Sequence, residues 1–366
     1  MYYMKILNLS LDRSVALVNS RAAARMVDYG QLVDKYTIIV PAEDYKTIKL
    51  SDKTEVYCIT GGNKIVKLLN YYKLAKKILG KERYNVITVQ DQYYLALVGL
   101  WLAKKFNIGL ELQVHGFEKY FGLRKIIAKY VLPRADAIRT VSQKLKKRLI
   151  DEYGIREERI TAVPIYVKTV VKSKKLKVKS KNDKFVFLTI SRLVPVKNIR
   201  LQIKAIAEIV KQYQKVELWI VGEGLEKNNL ELLIKQVNLF NKVKLLGWQN
   251  EIAKFYQDAD AFLLTSDSEG WPQVIIEAAS FGLPIIMTDT GSAGEFIINE
   301  ENGIVIPIND LPALVAAMQC LITDSQLRQQ IGASALKSAM KLPAKDQILT
   351  LYQESWNKAI DLAKTK

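Results

Sequence analysis

Short apolar runs alternate along this chain with longer stretches in which apolar residues recur at helical spacing. The runs read as buried strands and the stretches between them as amphipathic helices. In the first half, strands are expected at 5–9, 37–40, 55–59, 85–89, 109–114 and 137–141, with helices filling most gaps. Ser142 is placed as the N-cap of a helix over 143–152, because its hydroxyl can accept from a free first-turn N–H. The second half repeats the pattern, with strands at 185–190, 217–221, 243–246, 261–265, 284–287 and 304–306. The last segments, 310–322, 325–341 and 344–363, read as helices. Alternating strands and helices predict an α/β chain with mainly parallel sheets.

A length of 366 residues predicts two domains, and 49% hydrophobic residues suffice for two ordinary cores. The stretch 168–184 carries eight lysines without a clear period, and the linker is placed there. No apolar run is long enough to cross a bilayer; 93–103, the longest, reads as a buried helix. The chain opens directly into a strand, so no signal peptide is expected. Cys58 and Cys320 lie far apart without Cys or His neighbours, which speaks against a zinc site or disulfide framework and fits a reducing cytoplasm.

Charge changes the picture. Of 55 basic and 37 acidic residues, 36 and 17 fall in residues 1–183, so that part carries +19 and the remainder −1. Basic surface attracts any phosphate polymer, but no helix-turn-helix, RNP-like or zinc-finger pattern is present. An anionic membrane surface fits better. Residues 64–79 and 119–132 both mix lysines with aromatic and aliphatic residues at helical spacing, as interfacial helices do. The competing reading is a pair of ordinary helices packed on their own sheet with their lysines in water.

Chemistry concentrates in the second half. Residues 269–277 read Glu-Gly-Trp-Pro-Gln-Val-Ile-Ile-Glu. A helix is expected over 274–281, with Pro272 suited to its first turn. Glu269 then lies in a loop at a strand's carboxyl end and Glu277 on the following helix, both facing one crevice. That helix also aims free N–H groups there, where an anion is favoured. Arg192 and Lys197 share the loop between strand 185–190 and a helix starting near Ile199. Two solvated cations would be the ordinary reading of such a pair. Both segments leave the carboxyl ends of strands, however, where open α/β sheets bind ligands.

Three patterns carry less weight. Asp258-Ala-Asp260 matches a short metal motif, but it joins a helix to a strand and such matches are common by chance. Val221-Gly-Glu-Gly224 lacks the third glycine of a dinucleotide fingerprint and reads as a point of close backbone approach. His115, the only histidine, ends strand 109–114 and precedes Gly116.

Ser-Arg-Leu-Val-Pro-Val-Lys-Asn at 191–198, Val221-Gly-Glu-Gly224, Gly247-Trp248 and the run 269–284 together resemble glycosyltransferase family 4. These are retaining enzymes of GT-B fold that use nucleotide-activated sugars. The resemblance covers 184–340 well and the first half loosely. It implies two Rossmann-like domains facing a cleft: 1–170 for the acceptor, a linker at 171–183, 184–342 for the nucleotide sugar, and a final helix, 343–366, crossing back to the first domain. It implies that Glu277 accepts from ribose hydroxyls and that Glu269 holds the donor sugar, with the backbone around Gln273 and Val274 helping. Arg192 and Lys197 would stabilise the leaving diphosphate, and His115 would touch the sugar. Gly222, Trp248, Gly270, Trp271 and Pro272 would complete the donor site, with base contacts near Trp248 and Gln249. No divalent ion or other cofactor is required on this reading, since the two cations and the helix N-terminus can meet the phosphate charge.

Two places bear watching. Many relatives carry a glycine-rich loop after the first strand; here it is Ser-Leu-Asp-Arg-Ser-Val-Ala at 10–16, so Asp12 and Arg13 either contact an acceptor or sit in solvent. Gly291-Ser-Ala-Gly-Glu295 is expected to turn into a helix. The expected function is retaining transfer of a sugar to a hydroxyl of a glycan or lipid-linked acceptor in cell-surface polysaccharide or glycolipid synthesis. The expected location is the cytoplasm, with peripheral contact at the inner membrane face. The rival from another class is a basic nucleic-acid-binding or catalytically inactive scaffold of the same fold. A nucleotide-sugar epimerase is the nearer rival, and the single histidine disfavours its acid–base chemistry.

Overall fold

A computed structural model describes residues 3–116, 122–167 and 184–365. The chain divides into two compact units, Met1–Pro164 with Ala344–Lys366, and Ile165–Pro343. The expected linker, 171–183, lies outside the described residues.

The first unit is built on eight strands: β1 (Lys5–Leu9), β2 (Lys35–Pro41), β3 (Lys46–Lys49), β4 (Thr54–Ile59), β5 (Val86–Val89), β6 (Gly109–Val114), β7 (Ala137–Thr140) and β8 (Ile160–Ala162). Their order is β3-β4-β2-β1-β5-β6-β7-β8. All pairs are parallel except β3–β4. The helices are α1 (Arg21–Gln31), α2 (Lys64–Lys81), α3 (Tyr94–Phe106), α4 (Leu123–Val131) and α5 (Gln143–Tyr153). Ser142 caps α5 as expected, accepting from Leu145 N–H. Both faces of the sheet are covered, which is why its strands read as continuous apolar runs rather than as alternation. Strands β3 and β8 were not anticipated. The first is Lys-Thr-Ile-Lys, mostly exposed at a sheet edge, and carries little apolar signal.

The second unit holds β9 (Phe185–Ile190), β10 (Val216–Val221), β11 (Val243–Leu245), β12 (Ala261–Leu264), β13 (Ile285–Thr288) and β14 (Ile304–Ile306). All its strand pairs are parallel, in the order β11-β10-β9-β12-β13-β14. Its helices are α6 (Ile199–Gln212), α7 (Lys227–Gln236), α8 (Ala253–Asp258), α9 (Gln273–Ser280), α10 (Leu311–Thr323) and α11 (Ser325–Met340). Phe187, Leu218, Ile220, Leu263, Ile203 and Ile206 are fully buried in one core. Each such side chain contributes about 1.5–3 kcal/mol on leaving water.

The last helix, α12 (Lys345–Lys364), packs on β6, β7 and β8 of the first unit. Trp356 is fully buried there. Tyr352 stacks on Tyr29 at 4.3 Å, and their hydroxyls are 2.7 Å apart. Beneath them the buried Glu111 accepts from Ser355 at 2.5 Å and faces Arg139 at 3.5 Å. The expected return of the final helix is thus held by buried contacts between positions more than 200 apart.

Candidate active site

In the second unit, strand order reverses between β9 and β12. Loops leaving neighbouring strands at such a point diverge and open a crevice. The β9 loop carries Arg192 and Lys197; the β12 loop carries Glu269 to Pro272. The two are stitched together. Asp267 N–H donates to the Val196 carbonyl at 2.8 Å, and the Thr265 hydroxyl donates to the carbonyls of Lys197 and Asn198 at 3.2 and 3.0 Å. Buried Gln202 of α6 holds that hydroxyl from below at 2.9 Å.

Lys197 Nζ reaches Glu269 Oε1 at 2.5 Å, with both side chains largely buried. The Ser266 hydroxyl donates to the same oxygen at 2.6 Å. Both partners of Glu269 therefore bind Oε1, and Oε2 has no protein partner among the described residues. Arg192 is exposed and has no acidic partner among the described residues. Glu277, half-buried on α9, accepts from the buried Tyr256 hydroxyl at 2.8 Å. Burial first, then the Glu277 charge, raises the Tyr256 pKa well above its ordinary value, so this hydroxyl stays a donor. Tyr256 is itself fixed by stacking on Phe281 at 5.3 Å.

Helix α9 begins at Gln273 with Pro272 as its N-cap, one position outside the first turn where it was expected. No side chain caps this end, so its first N–H groups are available to an anion. Gly270 and Trp271 are buried, and the Trp271 ring packs against Phe296 with centroids 6.4 Å apart. Trp271 is thus part of the loop's support. Its indole N–H and the hydroxyls of Ser191 and Ser292 are buried without a partner among the described residues. Gln273 and Val274 are half-buried.

Gly222 has φ +139°, and a Cβ there would meet the Ser191 carbonyl oxygen at 1.8 Å. Its N–H donates to the Gly247 carbonyl at 2.8 Å. The loops after β9, β10 and β11 are therefore laced together through glycine backbone. Trp248 follows, largely exposed, donating to Asn250 at 3.2 Å, while Gln249 donates to the Leu246 carbonyl. The segment after Gly291 does not lead into a helix. It turns back through paired bridges, Ala293 with Ile297 and Asn299 with Gly303. Gly291 backs onto the motif loop, where a Cβ would come 2.8 Å from the Glu269 Cβ.

Asp260 accepts from Val186 N–H at 2.8 Å and fastens β12 beside β9, a structural task. His115 belongs to the first unit, at the carboxyl end of β6. The residue is exposed, and desolvation by the surrounding protein opposes its charged form. That desolvation, then the charges of Arg139 and Arg25, push its pKa down to about 4. The imidazole is neutral at physiological pH.

Residues 171–338 match the family model of Glycosyl transferases group 1, and residues 37–169 match that of Glycosyltransferase Family 4. Together the two models, both of glycosyltransferases, span most of the chain. A lipopolysaccharide core biosynthesis glycosyltransferase of Rhizobium meliloti, LpsE, is 25% identical over 208 residues, 57% of this chain and 60% of that protein. The uncharacterized glycosyltransferase MJ1059 of Methanocaldococcus jannaschii is 32% identical over 237 residues, 60% of this chain and 58% of its own length. These alignments thus span less than two thirds of either relative. The crystal structure of Anabaena Alr3699/HepE with UDP and glucose superposes with a TM-score of 0.77 at 21% identity, covering 97% of this chain and 99% of that one. The fold is GT-B. Nothing in these matches favours the nucleic-acid-binding or scaffold alternative.

Tyr256 and Ser266 escaped the sequence reading. Neither lies in a recognisable motif. Each becomes visible only through the carboxylate it holds.

Proposed function

We propose that this glycosyltransferase moves a sugar from a nucleoside diphosphate sugar to a hydroxyl of a glycan or lipid-linked acceptor, with retained configuration and without a metal ion. The carrying observation is the Lys197–Glu269 pair at the reversal point of the second sheet, next to an exposed Arg192 and the uncapped start of α9. An ammonium has three donors. Lys197 can therefore keep Glu269 while giving a second hydrogen bond to a diphosphate oxygen. Arg192 brings a planar fork to the same anion. These groups stabilise the charge that develops on the leaving diphosphate. Glu269 Oε2 accepts from a hydroxyl of the donor sugar, and Glu277 from the ribose. A carboxylate already shared by an ammonium and a hydroxyl is a weak nucleophile. That supports attack by the acceptor on the face of the departing diphosphate, not a covalent sugar on Glu269. Neutral His115 is proposed as a hydrogen-bonding partner of the sugar. The relative named for lipopolysaccharide core synthesis supports a role in cell-surface glycan assembly.

Release of nucleoside diphosphate from a panel of donors, in the presence of acceptor extract, tests the reading. Arg192→Ala and Lys197→Ala should each lower turnover about 100-fold or more. Near-normal turnover in both folded variants removes the mechanism. Adding donor diphosphate at 100 times its Kd should stabilise the protein by about 2.7 kcal/mol.

A peripheral membrane role is part of the proposal. No helix among the described residues is long and apolar enough to cross a membrane. Helices α2, α3 and α4 pack side by side and leave Ile65, Leu69, Trp101, Leu123, Ile126 and Tyr130 exposed among lysines. Lys119, counted with this region in the sequence, lies outside the described residues. Ile65→Ser with Ile126→Ser should reduce co-sedimentation with anionic vesicles several-fold; unchanged co-sedimentation ends the membrane claim.

A further inference from the structure

The first sheet has its own reversal point, between β1 and β5. The loop after β1 and the loop after β5 are tied by the Ser10 hydroxyl, which donates to Gln90 at 2.6 Å. Over them opens a cavity of about 270 Å³. Arg13 enters from the first loop, Lys64 and Lys67 from the first turn of α2, and Arg124 from the first turn of α4. Asp91 is the one carboxylate among the lining residues, and it is engaged in capping α3 through Leu95 N–H at 3.0 Å. Lys64 Nζ sits 3.2 Å from the Tyr94 ring centroid, and the Arg124 guanidinium 5.7 Å from that of Tyr93. Arg13 and Lys67 have no acidic partner among the described residues.

Four cations around one small cavity repel one another, and the first turns of α2, α3 and α4 add their positive ends. The charge of Asp91 acts on Arg124 and Lys64 and relieves part of that repulsion; an anion in the cavity would relieve the rest. The aromatic faces hold two of the cations in place without neutralising them. Leu11 and Leu68 complete the lining with apolar surface. We propose that this cavity binds the phosphate or diphosphate group of the acceptor, so that the acceptor is a phosphorylated amphiphile and not a neutral sugar. This rests on the transferase reading above, which places the donor on the other unit.

Calorimetric titration of the full chain tests it with three probes: inorganic diphosphate, farnesyl diphosphate, and short-chain phosphatidylglycerol below its micelle concentration. Each is run with UDP saturating the donor site. Arg13→Glu with Lys67→Glu should weaken binding of the phosphate probes at least tenfold and leave UDP binding unchanged. Arg192→Ala should do the reverse. Tighter binding of farnesyl diphosphate than of inorganic diphosphate supports an isoprenoid-linked acceptor. Preference for phosphatidylglycerol, with the same dependence on Arg13 and Lys67, supports a glycerophospholipid as the source of the phosphate. Undiminished binding in the doubly reversed variant, with its melting temperature preserved, overturns the proposal, as does failure of all three probes to bind. If UDP alone fails to bind, the donor reading falls while the cavity remains tested.

Discussion

At the scale of single residues, the second unit shows carboxylates fixed in place by neighbouring donors. Glu269 gives one oxygen to Lys197 and Ser266 and keeps the other. Glu277 is aimed by Tyr256 from a position 21 residues earlier. A hydrogen bond to a charged group contributes about 1.5–3 kcal/mol. Tyr256→Phe should therefore raise the donor Kd roughly tenfold while changing kcat less, because ribose binding is common to ground and transition states. Steady-state kinetics with varied donor decide this; an unchanged KM would show that Glu277 needs no such support. The carboxylates and cations were legible because they sit in contiguous stretches at strand ends. Tyr256 and Ser266 were not, since a hydroxyl's partner is a matter of three-dimensional neighbourhood.

At the scale of elements, boundaries set by apolar runs agree closely with the structure; β1, β6, β9 and β14 match to the residue. The exceptions are informative. Strand β3 is exposed and basic, so its pairing with β4 comes from edge hydrogen bonds and not from burial. The turn after Gly291 has the residues of a helix entry but is captured by bridges instead. Helix α12 is held through a buried ion pair under aromatic rings. Glu111→Ala strands the Arg139 guanidinium and should cost about 3–5 kcal/mol. Trp356→Ala, which removes a fully buried ring, should cost about 3–5 kcal/mol as well. Urea unfolding measures both; losses below about 1 kcal/mol would show that α12 contributes little to the first unit.

At the scale of the whole molecule, acid sensitivity follows from three groups. Glu82, bridged by Lys35 and Lys5, and Glu217, bridged by Lys184 and Lys244, are both held at about 2, because these partners outweigh the burial that opposes their charge. A carboxylate with a depressed folded pKa stabilises fully above its unfolded value of about 4.3 and loses that contribution as pH falls toward 2. His115 acts in a higher window. Its folded value of about 4 lies below the unfolded value, so stability declines as pH drops from about 6.5 to 4, tempered by the residue's exposure. His115→Gln should flatten the stability profile in the upper window and Glu217→Gln in the lower one. Urea midpoints measured from pH 7 to pH 2.5 separate the two; identical profiles would mean that neither group is linked to folding.

The order of apolar and polar residues by itself determined two α/β halves, their strands and the loops that carry Arg192, Lys197, Glu269 and Glu277, because buried parallel strands must be continuously apolar. Only the tertiary structure decided which strands are neighbours, and so where each sheet reverses and opens a crevice. It also decided that Lys197 closes on Glu269, and that Arg13, Lys64, Lys67 and Arg124, spread over more than a hundred positions, surround a single cavity. Periodicity records which side of an element meets water. It holds no record of which distant element comes to lie beside it.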